Sequence, residues 1–476
     1  MSTNRNIVEM VEAIRKGTGG SNSADGVDGT YMADVLSVKP LTIKMHNTTI
    51  TKNLYINPAL MLNASDSGED IKKPFITPFE PQEAYEFLKE FHEKYVLKKG
   101  DTVVVHITGS SFYIAGKAVK AWAGWDWLKA NVPVMCNWDG GIDYFLDPDD
   151  YTKKADGTNS DAANIDYAGD AMAIVKKIYK KEYKVGNDRY VYFCERKVDD
   201  DFHAVGFNVL GKERDYMLIP MFYGSIDSNG KMRSIAGQWS CLTASGSAAD
   251  SANGKAIGTA EQYTAIQAAS GKALFFGGAL TNTLADICIL LSKSTDSQTA
   301  FGSGMCSTYV EDKAQHYGTK INTVIGGGQF YGSNDNKSFN KIFHSCVMGS
   351  YMLWQRDPYM LLINGRIKVS PDYTYDLTGA KYLDTGVNLA KNGYYATTQV
   401  VKDFGAVPND EIACSSATGY CDHTWVNAEI PAVSLRFGGC DHGAHDGLWA
   451  RTLGGVAANA WWSCGASKLL PAPAAA

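Results

Sequence analysis

The chain has 476 residues, 45% of them hydrophobic and 20% charged, which supports globular domains with a sizeable core and excludes a disordered chain. Its net charge of −6, with no Lys/Arg cluster, argues against nucleic acid as a partner. Glycine (47) and tyrosine (26) are abundant while proline (14) is not, a balance suited to turn-rich β structure with adhesive surfaces.

The opening stretch MSTNRNIVEMVEAIRKG puts Ile7, Val8, Val11 and Ile14 on one face of a helix over residues 4–16. It lacks the apolar core and small-residue cleavage site of a signal peptide, so the chain is expected to be made in the cytoplasm. GTGGSNSADGVDG (17–29) follows as a linker. No apolar run reaches spanning length, so no membrane insertion is expected. Strands are expected at 31–38, 41–45 and 53–56, and Pro81 opens a helix over 82–96. DTVVVHI (101–107) and FYIAGKAV (112–119) then form a hairpin. Residues 1–29 thus read as helix and linker, and 30–120 as a small β-rich module. The order of Leu36–Ile43 followed by Gly100–Val119 is similar to that of small phage baseplate proteins, which implies attachment to a particle.

From Trp122 the composition shifts toward Trp, Gly and Asn. Residues 121–151 read as aromatic loop. MAIVKKIYKKEYKV (172–185) and RYVYFCERKV (189–198) read as two strands around Gly186-Asn187-Asp188, although Ile174, Ile178 and Val185 also fit one face of a helix. YMLIPMFYGSID (216–227) reads as a strand before an SNG turn, and helices are expected at 259–270 and 283–293, the second burying Leu284, Ile287 and Leu291. Asn364-Gly365 marks a hairpin turn, and PAPAAA (471–476) a disordered or extended tail. None of the ten cysteines forms a CxxC pair, which excludes zinc-ribbon and thioredoxin-like motifs.

Residues 435–468, LRFGGCDHGAHDGLWARTLGGVAANAWWSCGASK, combine a rigid series of Gly, Trp and Arg with intervening residues of no common chemistry. With LIPMFYGSID (218–227), QTAFGSG (298–304), YMLWQRDPYMLLINGRIKV (351–369) and YCDHTWVN (420–427), this stretch resembles the targets of diversity-generating retroelements, the group that includes the major tropism determinants of phage tails. The resemblance implies an α+β fold in which a C-type-lectin-like domain of irregular β structure, few helices and long loops covers 121–470. That fold is shared with formylglycine-generating enzymes, so fold alone does not decide function.

Such systems mutate adenines, commonly in AAY codons, which reach Cys, Asp, His, Ala, Thr, Gly and Ser but not Trp or Lys. The resemblance therefore implies a ligand-binding, variable set of Cys440, Asp441, His442, His445, Ala450, Thr452, Gly454, Gly455, Ser463 and Cys464. Arg436, Gly438, Gly439, Gly447, Trp449, Arg451, Trp461, Trp462 and Gly465 would be its scaffold. It further implies a virion protein of the tail tip or baseplate, not an enzyme and without cofactor, that binds a host receptor (protein or glycan) and other tail proteins. Weak contacts on an exposed face need several copies, and tail symmetry points to a homotrimer.

Other chemistries compete for the same residues. CDHGAHD (440–446) carries a thiol, two carboxylates and two imidazoles, all zinc ligands, but its organised part is the glycines. An oxidase of the formylglycine-generating type needs a reactive cysteine pair, for which Cys440 and Cys464 are candidates at positions expected to vary. A cellular surface-display protein diversified in the same way is the closest functional alternative, and the opening stretch lacks the export signal it would need.

Overall fold

The computed structural model describes residues 29–38, 41–45, 48–51, 54–56, 97, 102–108, 111–118, 125–238, 257–307, 328–334, 339–415, 420–461 and 463–473. The helices expected at 4–16 and 82–96, and Trp462, lie outside these residues. The chain divides into two compact units, Met1–Leu128 and Lys129–Ala476. The described residues are strand-rich with five helices, and none of these helices is long and apolar enough to cross a membrane.

The first unit holds β1 (Gly29–Val38), β2 (Leu41–Met45), β3 (Thr48–Ile50), β4 (Leu54–Ile56), β5 (Thr102–Thr108) and β6 (Ser111–Ala118). They form one sheet in the order β3-β2-β1-β5-β6-β4, antiparallel except where β4 joins β6. A bulge between Val35 and Ser37 shifts the alternation along β1, so that Ala33 and Val35 are buried before it and Val38 after it.

Helix α1 (Asp126–Lys129) ends at the boundary between the units, and β7 (Pro133–Asn137) and β8 (Ile142–Phe145) are the first strands of the second unit, where aromatic loop was expected. These elements are too short for periodicity to show, and β7 is buried at four of its five positions. Next come β9 (Gly169–Lys176), β10 (Tyr179–Val185), β11 (Asp188–Cys194), β12 (Asn208–Val209), β13 (Lys212–Glu213), β14 (Tyr216–Pro220), β15 (Ser225–Ile226) and β16 (Met232–Arg233). The Lys-rich run is therefore strand. Its turn is Gly186-Asn187, with Gly186 at φ 61°.

Helices α2 (Thr259–Ala269) and α3 (Gly278–Ser292) flank β17 (Leu274–Phe275). The first eleven residues of α3 are buried, whereas Leu291 is only half-buried. Helices α4 (Ser297–Phe301) and α5 (Cys346–Gly349) precede β18 (Trp354–Ile363) and β19 (Arg366–Val369). The turn between these strands has Asn364 at φ 52° and Gly365 at φ 75°, the left-handed pair that an Asn-Gly hairpin uses. The remaining strands are β20 (Leu383–Asn388), β21 (Tyr394–Val401), β22 (Gly405–Cys414), β23 (His423–Val426), β24 (Ala432–Arg436), β25 (Arg451–Leu453), β26 (Cys464–Gly465) and β27 (Lys468–Pro471).

Two large sheets result. One runs β17-β27-β14-β9-β7-β8; the other runs β20-β19-β18-β24-β25-β23-β21-β22, with β26 alongside β18. Strand β27, the last described element, thus lies inside a sheet. Pro471 closes β27 and Ala472 is buried with its N–H on Tyr216 O (3.1 Å), so 471–472 are not a free tail.

Candidate functional site

Residues 436–465 leave the second sheet at β24, cross it at β25 and return beside β18 at β26. Beneath them lies a buried ionic frame. Asp357 on β18 accepts the Gly278 N–H at the start of α3 (2.8 Å) and faces Arg436 at 3.4 Å and Arg451 at 3.6 Å. Arg436 also donates to Gly278 O (3.3 Å) and Thr281 Oγ1, and Arg451 donates to Asn282 Oδ1 (2.7 Å) and Ser434 Oγ (3.3 Å). One carboxylate cannot neutralise two guanidiniums, so burial and the Arg451 charge hold Arg436 below the usual arginine range, at about 9. Burial also lowers Arg451.

Two further buried carboxyls explain two of the glycines. Asp446 Oδ1 accepts the Gly439 N–H (3.2 Å), and a Cβ at Gly438 (φ 105°) would collide with that oxygen. Asp422 Oδ2 accepts the Trp449 N–H (2.7 Å), and a Cβ at Gly447 (φ 156°) would collide with that carboxyl. Burial pushes both carboxyls well above the ordinary carboxylate range; the Asp296 charge raises Asp422 further, and the Asp422 and Asp441 charges raise Asp446. From outside the motif, Gln298 on α4 donates to the carbonyls of Gly443 (2.7 Å) and Asp446 (2.9 Å), and Ser297 Oγ accepts the Leu448 N–H (3.1 Å). Trp449 packs on Tyr420, their ring centroids 4.5 Å apart.

Above the frame, Asp441 and His445 are exposed, and His442, Thr452, Gly454 and Ser463 are half-buried. They gather around Trp354 and Trp425, whose rings meet edge to face at 5.6 Å. His442 packs on Trp354 (5.2 Å) and Trp425 (5.0 Å), with its Nδ1 2.8 Å from Asp441 Oδ1. Thr452 is the register partner of Trp425, and Ser463 O accepts the Trp354 N–H (2.9 Å). His445 reaches Tyr395 OH through Nδ1 (3.2 Å) and lies 4.9 Å from the His423 ring. Burial, then the His445 and His442 rings, lower His423 to about 4.

Four of the ten expected display positions are buried. Cys440 is 1% exposed with its N–H on Met352 O, and Ala450 is 0% exposed where the chain enters β25. Gly455 is buried and its carbonyl accepts the Val433 N–H (3.0 Å). Cys464 is 2% exposed, packed in β26 against Trp354 and Leu435. Among the expected scaffold residues, Arg436, Gly438, Gly439, Gly447, Trp449, Arg451 and Gly465 are buried. Trp461 instead is 46% exposed, its ring lying over Gly455. Tyr395, His423, Trp425 and Trp354 were missed as site residues, although YCDHTWVN and YMLWQRDPY contain three of the four.

The groups of CDHGAHD diverge. Cys440 and Asp446 point inward while Asp441 and His445 reach solvent, and among the described residues no three His, Cys, Asp or Glu side chains converge as an ion would require. Burial pushes the Cys440 thiol up to about 12, away from thiolate chemistry.

Compared with known proteins, the chain is matched by no family model and by no curated relative.

Proposed function

We propose that the chain is an adhesion protein of a phage tail tip or baseplate. In this reading an α+β, C-type-lectin-like domain spanning about 121–470 presents a diversified face to a host receptor, and the 30–120 module attaches it to the particle. The chain is not an enzyme in this reading and needs no cofactor. The observation that carries the proposal is the division of labour within residues 436–465. Buried Arg436, Gly438, Gly447, Trp449 and Arg451 make the folding contacts, whereas Asp441, His442, His445, Thr452, Gly454 and Ser463 are solvent-accessible. A surface that varies must not carry folding energy, because core changes routinely cost a large part of a domain's marginal stability.

The test is a pair of libraries in the full chain. Randomising the six accessible positions should leave most clones folded, with melting temperatures near that of the parent and altered binding to host cells. Randomising Asp357, Gly438, Gly447, Trp449 and Arg451 should leave few folded clones. Equal losses in both libraries would sink the reading. Flanking DNA should hold a near-copy of codons 435–468 differing almost only at adenines, and light scattering should give a trimer; a monomer would remove the avidity argument.

A further inference from the structure

The β10–β11 hairpin wears its polar face inward. Lys180, Glu182 and Arg189 point into the unit, where Arg189 clasps Asp286 of α3 through two bonds of 2.6 Å and Glu182 at 2.7 Å. Lys180 lies against the same two carboxylates, 2.6 Å from Asp286. The opposite face carries Tyr183, Tyr190 and Tyr192, each 39–46% exposed. Their rings form a ladder with Tyr183 in the middle, 5.2 Å and 14° from Tyr190 and 6.1 Å and 20° from Tyr192. A hairpin serving only as cover would bury its tyrosines and expose its charges. Here a buried ion cluster, the costlier arrangement, holds the aromatics in solvent.

Tyr183 also lines a cleft of about 610 Å³ between this hairpin, residues 200–205 and the β21–β22 turn. Polar groups in the cleft are paired: Lys181 lies 2.6 Å from Asp201, and His203 Nδ1 lies 2.9 Å from Asp403 Oδ1. Lys402 stands opposite Asp200 in sign, so neither sign dominates. Such a site offers donors and acceptors side by side without attracting a polyanion. Aromatic rings beside it supply an apolar surface with polar tips. We propose that this hairpin and cleft bind a neutral oligosaccharide, a sugar ring packing its C–H face on the tyrosine ladder while its hydroxyls bridge the Lys181–Asp201 and His203–Asp403 pairs. This site is separate from the diversified face and would be an invariant foothold on a glycan-coated surface.

Saturation-transfer NMR and calorimetry on the full-length protein with maltohexaose, cellohexaose and chitohexaose test it. At least one should bind saturably, with transfer to its ring protons. The Tyr183→Ala/Tyr192→Ala double variant should lose roughly tenfold in affinity or more at an unchanged melting temperature. Asp441→Ala and His445→Ala should leave this binding untouched, so failure here is distinguishable from failure of the diversified face. Lack of binding by all three sugars, undiminished binding by the double variant, or binding only of sulfated heparin fragments overturns the proposal. So does self-association that the double variant abolishes, which would assign the ladder to a second copy of the chain.

Discussion

At the level of single residues, accessibility and chemical type separate within one short stretch. Trp449→Ala removes a ring that packs on Tyr420 and lies 5.5 Å from the Arg189 guanidinium; it should cost ~3–5 kcal/mol in urea unfolding. His445→Ala, at an exposed position, should stay within about 0.5 kcal/mol. Equal costs would remove the distinction between frame and face. The buried carboxyls make a second prediction, about pH. Asp422 has a folded pKa raised above its unfolded value of about 3.9, so its protonated form is favoured on folding. Its contribution is fully present below that unfolded value and is lost as pH rises toward the folded pKa. Asp422→Asn keeps an acceptor for the Trp449 N–H and cannot ionise. The variant should therefore melt higher than the parent at neutral pH, with the advantage vanishing near pH 4; a gap independent of pH would refute the assignment. His423 acts in the opposite sense. Its folded value of about 4 lies below the unfolded 6.5, so its contribution is complete above 6.5 and is lost as pH falls from there to 4. Arg436 and Arg451 are buried whereas Trp461 is exposed, and a tryptophan's type does not tell which side of the backbone it leaves. Cys440, Ala450 and Cys464 are buried although expected on the display face, because small residues fit surface and core equally well.

Elements were legible where local chemistry dictates them. Asn364-Gly365 and Gly186-Asn187 are turns because glycine and asparagine tolerate the left-handed region. The helix expected from Thr283 begins five residues earlier, at Gly278, in a polar stretch that includes Thr281 and Asn282. Thr281 Oγ1 bonds back within the helix to Gly278 O (2.9 Å), whereas the next two side chains reach distant segments, Asn282 Nδ2 donating to Phe404 O (3.0 Å) and Thr283 Oγ1 to Val205 O (3.0 Å). No periodicity encodes partners 78 and 122 residues away. The same holds for the buried charges of β10–β11, whose partner Asp286 lies on α3. Neutralising Asp286 to Asn leaves Lys180 and Arg189 sharing Glu182, and should cost ~3–5 kcal/mol because a buried charge loses its counter-ion. A loss below about 1 kcal/mol, as surface pairs give, would mean that water enters this cluster.

Across the second unit, the six-stranded sheet draws on residues from Pro133 to Pro471, and β27 lies between β17 and β14 rather than at an edge. The candidate binding segment therefore runs from β24 in one sheet to β27 in the other. A loop tied at both ends pays its closure entropy once, whatever side chains it carries, and modest changes of length add little to that cost. The second tie is also electrostatic: Lys468 meets buried Asp170, which Arg233 also contacts at 3.3 Å, and the Lys468 ammonium lies 4.9 Å from the Trp138 ring. Ending the chain after Ala466 removes this ion pair and leaves β17 and β14 with unpaired edges. That truncation should abolish the cooperative melting transition of the second unit, as followed by near-ultraviolet circular dichroism. Inserting two residues between Ala460 and Trp461, both exposed, should instead lower the melting temperature by only a few degrees. If the truncated chain melts like the parent, the last strand is not a closing element, and tolerance of variation in 436–465 would have to come from the β24 side alone.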